Sequence, residues 1–199
     1  MQIILLNILS AAVISYLLGS IPFAYIFARM IKGIDIRQHG SGNPGATNVF
    51  RTVGKTAGII VFILDMLKGF MAVFIVNALF HNNYFNLISA LSAIAGHTWT
   101  VWLSFKGGKG VATSAGVVIM LVPVSAVIGL SAFFICLFIT RYVSISSMLA
   151  SILVATSTWY FTDSLPLKIA ITLLALLIIY RHKTNISRLI NKQEPKIKI

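Results

Sequence analysis

The chain has 199 residues, 58% of them hydrophobic and only 10% charged, with a mean hydropathy of +0.93. Soluble domains carry about a quarter charged residues, so this composition excludes an ordinary soluble domain and describes an all-α integral membrane protein. Sixteen Lys and Arg face only Asp35, Asp65, Asp163 and Glu194; beside such hydropathy the net charge of +12 reads as cationic loops against anionic lipid, not as nucleic-acid binding.

Apolar segments fall at about 3–31, 57–80, 86–104, 111–122, 124–140, 145–161 and 166–180. The first lacks a basic flank and a small-residue cleavage site, so it is expected to be a retained first helix rather than a signal peptide. A loop follows over about 32–56. There Gly40, Ser41, Gly42, Asn43, Pro44 and Gly45 cannot form regular helix, because Gly and Asn favour positive φ. Ser41, Asn43, Thr47 and Asn48 offer side-chain hydrogen bonds, and Arg51 carries a planar fork suited to phosphate. A polar turn with topological arginines is the plainer account; three glycines and four polar side chains between 40 and 48 favour an anion cradle.

The second helix holds Asp65 and Lys68 three residues apart in an apolar run. Charges there are costly unless paired, so a structural ion pair is expected, with support of a nearby site as the alternative. His97 reads as a packed, hydrogen-bonded histidine, and Trp99 and Trp102 as interfacial aromatics. Next comes Lys106-Gly107-Gly108-Lys109-Gly110, a loop of about 105–110 opening into a helix at Val111. Lysines over a helix N-terminus attract anions through charge, dipole and N–H groups together, although two snorkelling lysines would look the same. The GxxxxGK[ST] pattern is absent, so no nucleotide is implied.

Whether 111–140 is one helix or two is decided by charge. One crossing would put Lys32, Arg37, Arg51 and Lys55 opposite Arg181, Lys183, Arg188, Lys192, Lys196 and Lys198. A break at Pro123 puts both groups on one side with Lys106, Lys109 and Arg141, leaving Lys168 opposite. The positive-inside rule therefore favours seven transmembrane helices, N-terminus outside and C-terminus cytoplasmic; a short helical pair that dips in and returns fits equally well. Cys136 stands alone and can form neither a disulfide nor a Cys-based metal site. Arg141 to Ser144 makes a third turn, over about 141–145, and reads first as an anchor. The last helix runs into the tail 181–199, where His182 and Asn185 share a helical face. A histidine there could handle protons or simply complement the helix dipole. No repeat or linker is visible, so residues 1–199 read as a single polytopic domain.

Absent motifs narrow the chemistry. The fifth residue after each histidine is Pro44, Asn86, Trp102 or Ser187, so no His-x-x-x-x-Asp signature exists. DxxDGxxAR and GxSxG are missing too, and no carboxylate cluster would hold Mg²⁺. Two glycine-rich basic loops at one membrane face suggest chemistry on lipid phosphates.

The motifs LLGSIP at 17–22, GSGNPGATNVFR at 40–51, LDMLKG at 64–69, GHTWTVWLSFKGGKGVAT at 96–113, RYVSISS at 141–147 and IIYRHKTNISRL at 178–189 span nearly the whole chain. In this order they resemble the bacterial acyl-phosphate:glycerol-3-phosphate acyltransferase family (PlsY). The resemblance implies transfer of an acyl group from a long-chain acyl phosphate to the 1-hydroxyl of glycerol 3-phosphate. Lysophosphatidic acid and inorganic phosphate would be released, as the first step of phospholipid synthesis. It further implies a multi-pass enzyme of the bacterial inner membrane with its active site facing the cytoplasm. No cofactor or metal is implied, and the enzyme would be coupled to another that makes acyl phosphate. Under it, His182, Asn185, Arg51 and Lys109 are the expected catalytic residues. Ser41, Gly42, Asn43, Gly45, Thr47, Asn48, Lys106, Gly107, Gly108, Gly110 and Ser144 would bind the phosphates, with Asp65 and Lys68 in support. The base could be His182, Asp35 or a substrate phosphate oxygen. A transporter or channel for a phosphorylated metabolite is the competing class, but it would call for inverted repeats and helices broken at the midplane.

Overall fold

The structure, a computed structural model, describes residues 2–197. They form ten α-helices with two 3₁₀ turns and no strand, and they divide into two compact units that meet in sequence between residues 120 and 121.

The first unit contains α1 (Gln2–Ser20), α2 (Phe23–Lys32), α3 (Ala46–Thr52), α4 (Lys55–Phe80), α5 (Asn83–Thr98) and nearly all of α6 (Val111–Leu121). Here α1 packs on α5 and α4, while α4 also packs on α5 and α3. Lipid gives no hydrophobic drive to such pairs, so close approach of backbones must supply the contact. Gly19 and Gly96 do this between α1 and α5, where any Cβ would overlap the Ala93 or Tyr16 carbonyl. Gly69 and Gly116 do it between α4 and α6, against the Thr113 and Met66 carbonyls.

The apolar run 3–31, expected as one helix, is broken at Ile21–Pro22. Proline lacks an N–H and its ring displaces the preceding turn, so carbonyls before it are released. In an apolar surrounding they must find other donors. Thr100 Oγ1 donates to the Ser20 carbonyl at 2.6 Å, and Lys68 Nζ to the Ile21 carbonyl at 2.7 Å. Trp102 Nε1 adds a bond to Ser20 Oγ at 2.9 Å, so this interfacial aromatic also braces the break.

Helix α2 stops at Gly33, a left-handed cap with φ 69°. The 32–56 segment is no open loop: it carries the 3₁₀ turn Ile36–Gln38 and α3. Ile36 and Val49 are buried with Ala24, Ala28, Ala57 and Val61, which anchors the segment as a platform.

The second unit comprises α7 (Pro123–Thr140), α8 (Val143–Phe161), α9 (Leu165–Arg181) and α10 (Lys183–Ile190), with α8 packed on both α7 and α9. The break at Pro123 is as the charge argument required. Ser146, Ser147 and Thr158 of α8 return their hydroxyls to carbonyls one turn back, which removes the cost of polar side chains there.

Four segments are long and apolar enough to cross a membrane: Gln2–Lys32, α4, α7 and α8. The pair α9–α10, bent by 51°, qualifies as a broken span. Helices α5 and α6, of 16 and 11 residues, are shorter than these spans.

Candidate active site

In the first unit the 40–51 loop is organised around Asn48. Its side chain is buried, with Oδ1 accepting from the Ser41 N–H at 3.0 Å and Nδ2 donating to the Ile36 and His39 carbonyls at 3.1 and 2.9 Å. Asn48 is thus the strut of the cradle, with its amide engaged inside the loop. Gly40, at φ 61°, lies where a Cβ would overlap Asn48 Oδ1, and Gly42 turns the chain again at φ 72°. Gly45 caps α3, and a Cβ there would crowd Asn43 Nδ2 at 2.8 Å. Thr47 and Arg51, one turn apart, share a face of α3. Ser41 is exposed, while Asn43, Thr47 and Arg51 are half-buried.

Asp35 sits at the base of this loop. Arg37 grips it twice, with Nε to Oδ1 at 3.0 Å and Nη2 to Oδ2 at 2.7 Å. The guanidinium bond holds the Asp35 carboxyl below its ordinary value against a smaller opposing effect of burial. A lowered carboxyl is a weaker proton acceptor than an ordinary one, and the Arg37 fork occupies both of its oxygens, so the geometry does not favour Asp35 as the base.

The second loop turns back on the end of α5. Gly107 N–H donates to the Thr98 carbonyl at 3.0 Å and Gly108 N–H to the His97 carbonyl at 3.2 Å. These two N–H groups hold the loop in place. Gly107 approaches so closely that a Cβ would overlap the His97 carbonyl. A Cβ on Gly108 would overlap His97 Nε2 and lie 3.2 Å from the Pro44 carbonyl, so the two glycine loops lie side by side. Gly110, at φ 83°, opens α6, with Lys106 exposed and Lys109 half-buried. Beneath the loops Lys68 Nζ meets Asp65 Oδ1 at 2.8 Å, the expected ion pair, and His97 Nδ1 faces the same oxygen at 3.7 Å. These three line a pocket of about 10 Å³, room for a single water, together with Pro44, Gly107 and Gly108.

In the second unit Ser144 and Asn185 are brought together by a residue the sequence reading passed over, Glu194. Ser144 Oγ and Asn185 Nδ2 donate to its Oε1 at 2.9 and 2.6 Å, and Arg188 Nε to Oε2 at 2.9 Å. Burial pushes the Glu194 carboxyl up, but bonds from Asn185, Ser144 and Arg188 outweigh it and hold the group below its ordinary value. The one signal in the sequence was an isolated acid in a tail of cations. His182 is buried at the joint of α9 and α10, not within a continuous helix, and its Nδ1 lies 2.8 Å from the Ile178 carbonyl. That contact puts the proton of the neutral ring on Nδ1 and makes Nε2 the accepting nitrogen. The tail closes back on the α7–α8 turn through Ile197 N–H to the Arg141 carbonyl at 2.8 Å.

Apolar helices long enough to cross a bilayer, joined by glycine-rich basic loops, define the class as an integral membrane protein. The glycerol-3-phosphate acyltransferase family model matches residues 9–192, and the chain belongs to that family. A glycerol-3-phosphate acyltransferase of Geobacillus kaustophilus is 46% identical over 185 residues, covering 93% of each chain. One of Bacillus subtilis is 45% identical over 186 residues, covering 94% of this chain and 95% of its own. Among solved structures, PlsY, an integral membrane glycerol 3-phosphate acyltransferase, superposes in its glycerol 3-phosphate form with a TM-score of 0.91 at 38% identity over 96% of both chains. Its lysophosphatidic acid form gives a TM-score of 0.87 at 37% identity, covering 96% of this chain and 95% of that one.

Proposed function

We propose that this protein transfers a fatty acyl group from a long-chain acyl phosphate to the 1-hydroxyl of glycerol 3-phosphate, giving lysophosphatidic acid and inorganic phosphate. The observation that carries the reading is the meeting of two glycine loops at Pro44 and Gly108, bearing Arg51 and Lys109, in a member of this family. Two phosphorylated substrates call for two adjacent cradles.

Arg51, Ser41 and Asn43 hold phosphate from the first loop. Lys109 and the opening N–H groups of α6 hold it from the second, with Lys106 assisting. Gly42, Gly45, Gly107, Gly108 and Gly110 shape those cradles, and Thr47 contributes a hydroxyl; Ser144, expected as a further phosphate ligand, instead donates its hydrogen bond to Glu194 and holds the tail. Asn48 acts from within, by holding the first loop. His182 and Asn185 orient glycerol 3-phosphate or its attacking hydroxyl. That oxygen bonds to the acyl carbon, and the carbon–oxygen bond to phosphate breaks with its electron pair on the leaving phosphate. The hydroxyl proton passes to His182 Nε2 or to a substrate phosphate oxygen. An acyl phosphate is a mixed anhydride with a good leaving group, so positioning and charge neutralisation supply the rate without an acyl-enzyme.

The chain is a multi-pass protein of the bacterial cell (inner) membrane. We read Gln2–Lys32 and each of α4 to α9 as one span, seven in all with the N-terminus outside, on the strength of the charge asymmetry between the loops. The glycine loops, α10 and the tail then face the cytoplasm, where a separate enzyme supplies acyl phosphate.

The test is phosphate release by purified protein given palmitoyl phosphate, with and without glycerol 3-phosphate, in EDTA. Acceptor-dependent release matched by lysophosphatidic acid is expected. Acceptor-independent release would indicate a hydrolase, and no release from folded protein would favour a transporter.

A further inference from the structure

Beneath the two glycine loops, Asp65, Lys68 and His97 form a buried polar cluster to which the proposed chemistry gives no direct part. Such a cluster is costly between apolar helices unless each member has a task. Lys68 has a local one, pairing with Asp65 at 2.8 Å and capping the Ile21 carbonyl at 2.7 Å. Asp65 neutralises Lys68. Neither task needs a histidine.

His97 does something else. Its Nδ1 faces Asp65, so Nε2 lies at the far end of the ring, where it abuts Gly108 too closely to admit a Cβ. The Pro44 carbonyl borders that same spot. The His97 carbonyl meanwhile accepts the Gly108 N–H at 3.2 Å. One residue thus meets the second loop through both main chain and ring, at the point where the first loop arrives.

We propose that His97, oriented by Asp65, is a positioning residue that fixes how closely the two glycine loops approach each other, and so sets affinity for the phosphorylated substrates. This rests on the reading that these loops hold phosphate. A displacement of about 1 Å in such a clamp is enough to cost up to about a hundred-fold.

The amide nitrogen of Gln reaches about as far as Nε2, whereas that of Asn stands in for Nδ1. A histidine needed only to pair with Asp65 is therefore rescued by Asn, and one needed to support Gly108 is rescued by Gln. Full-length protein with His97→Gln, His97→Asn or His97→Ala is compared with wild type for the Kd of glycerol 3-phosphate without donor, and for kcat and both KM values with palmitoyl phosphate. Asn and Ala should raise at least one substrate constant by about ten-fold with kcat held within about three-fold, while Gln stays near wild type. Gly108→Ala should reproduce the rise from the loop side, and adding His97→Ala to it should cost nothing more. Wild-type constants throughout, rescue by Asn instead of Gln, or multiplicative effects in the double variant would overturn the inference. If His97→Ala does not fold, normal constants in Gly108→Ala alone do so. Wild type that binds glycerol 3-phosphate but ignores palmitoyl phosphate would defeat the donor reading, while the Kd comparison still decides the role of His97.

Discussion

Arg51 and Lys109 carry fixed charge to the two loops, but they do so with different geometry. Under the proposed clamp, removing either leaves a phosphate short of a charge-assisted bond in a site that depends on neutralising it. Arg51→Ala and Lys109→Ala should each lower turnover by at least about a hundred-fold while leaving the detergent melting temperature unchanged. Arg51→Lys should rescue poorly, since an ammonium cannot reproduce the planar fork; near-normal turnover in any of the three would sink the clamp. Glu194 behaves in the opposite way. Glu194→Ala removes the acceptor that Ser144, Asn185 and Arg188 share, so it should destabilise the second unit by about 2–4 kcal/mol, read as a lowered melting temperature. The residues of the proposed phosphate clamp were legible in the sequence because glycine, serine and arginine cluster there locally. Glu194 was not, because its Ser144 partner lies 50 residues away and only folding brings them together. Asn48 looked like a ligand for a similar reason: its partners are main-chain carbonyls at 36 and 39, which carry no signature in the side-chain pattern.

Among the helices, α4 and α6 are held at the distance Gly69 and Gly116 permit. Gly116→Val puts two methyls and a Cβ into the Met66 carbonyl, forcing the helices apart. A loss of about 1–3 kcal/mol or more is expected, measurable as a thermal shift, and the second loop would move with α6. Retained stability would mean that the pair can slide. Helix breaks were legible to differing degrees. Pro123 was found because the cationic loops before and after it have to fall on the same face of a membrane. Pro22 lies inside one unbroken apolar run, so hydropathy read straight through it. The residues that repair it, Lys68 and Thr100, are 47 and 80 positions from their acceptors.

Taken whole, the molecule should respond to acid through Glu194 more than through the partly exposed Asp35. Both carboxyls are held below their ordinary values of 4.5 and 3.8, so the unfolded chain takes up protons first as pH falls. The stability they contribute is fully present above pH 4.5 and is lost as pH drops through the lowered folded values. Melting temperature should therefore fall steeply below pH 4.5 in wild type and less so in Glu194→Gln, which lacks the titrating group. Sidedness is a separate test. Single cysteines at Ser41, Lys106 and Lys192, in a chain with Cys136 replaced, should react with an impermeant maleimide only from the cytoplasmic side; labelling of any from outside would refute the seven-span arrangement.

The break at Pro22 also imposes an order in time. Chains emerge and insert from the N-terminus, so α1 reaches the bilayer before residues 68 and 100 exist. Until then the Ser20 and Ile21 carbonyls have neither Lys68 nor Thr100 to accept from. The first helix therefore waits, half-finished, on water or the insertion machinery, and its completion is postponed until α4 and the turn after α5 have followed it into the membrane.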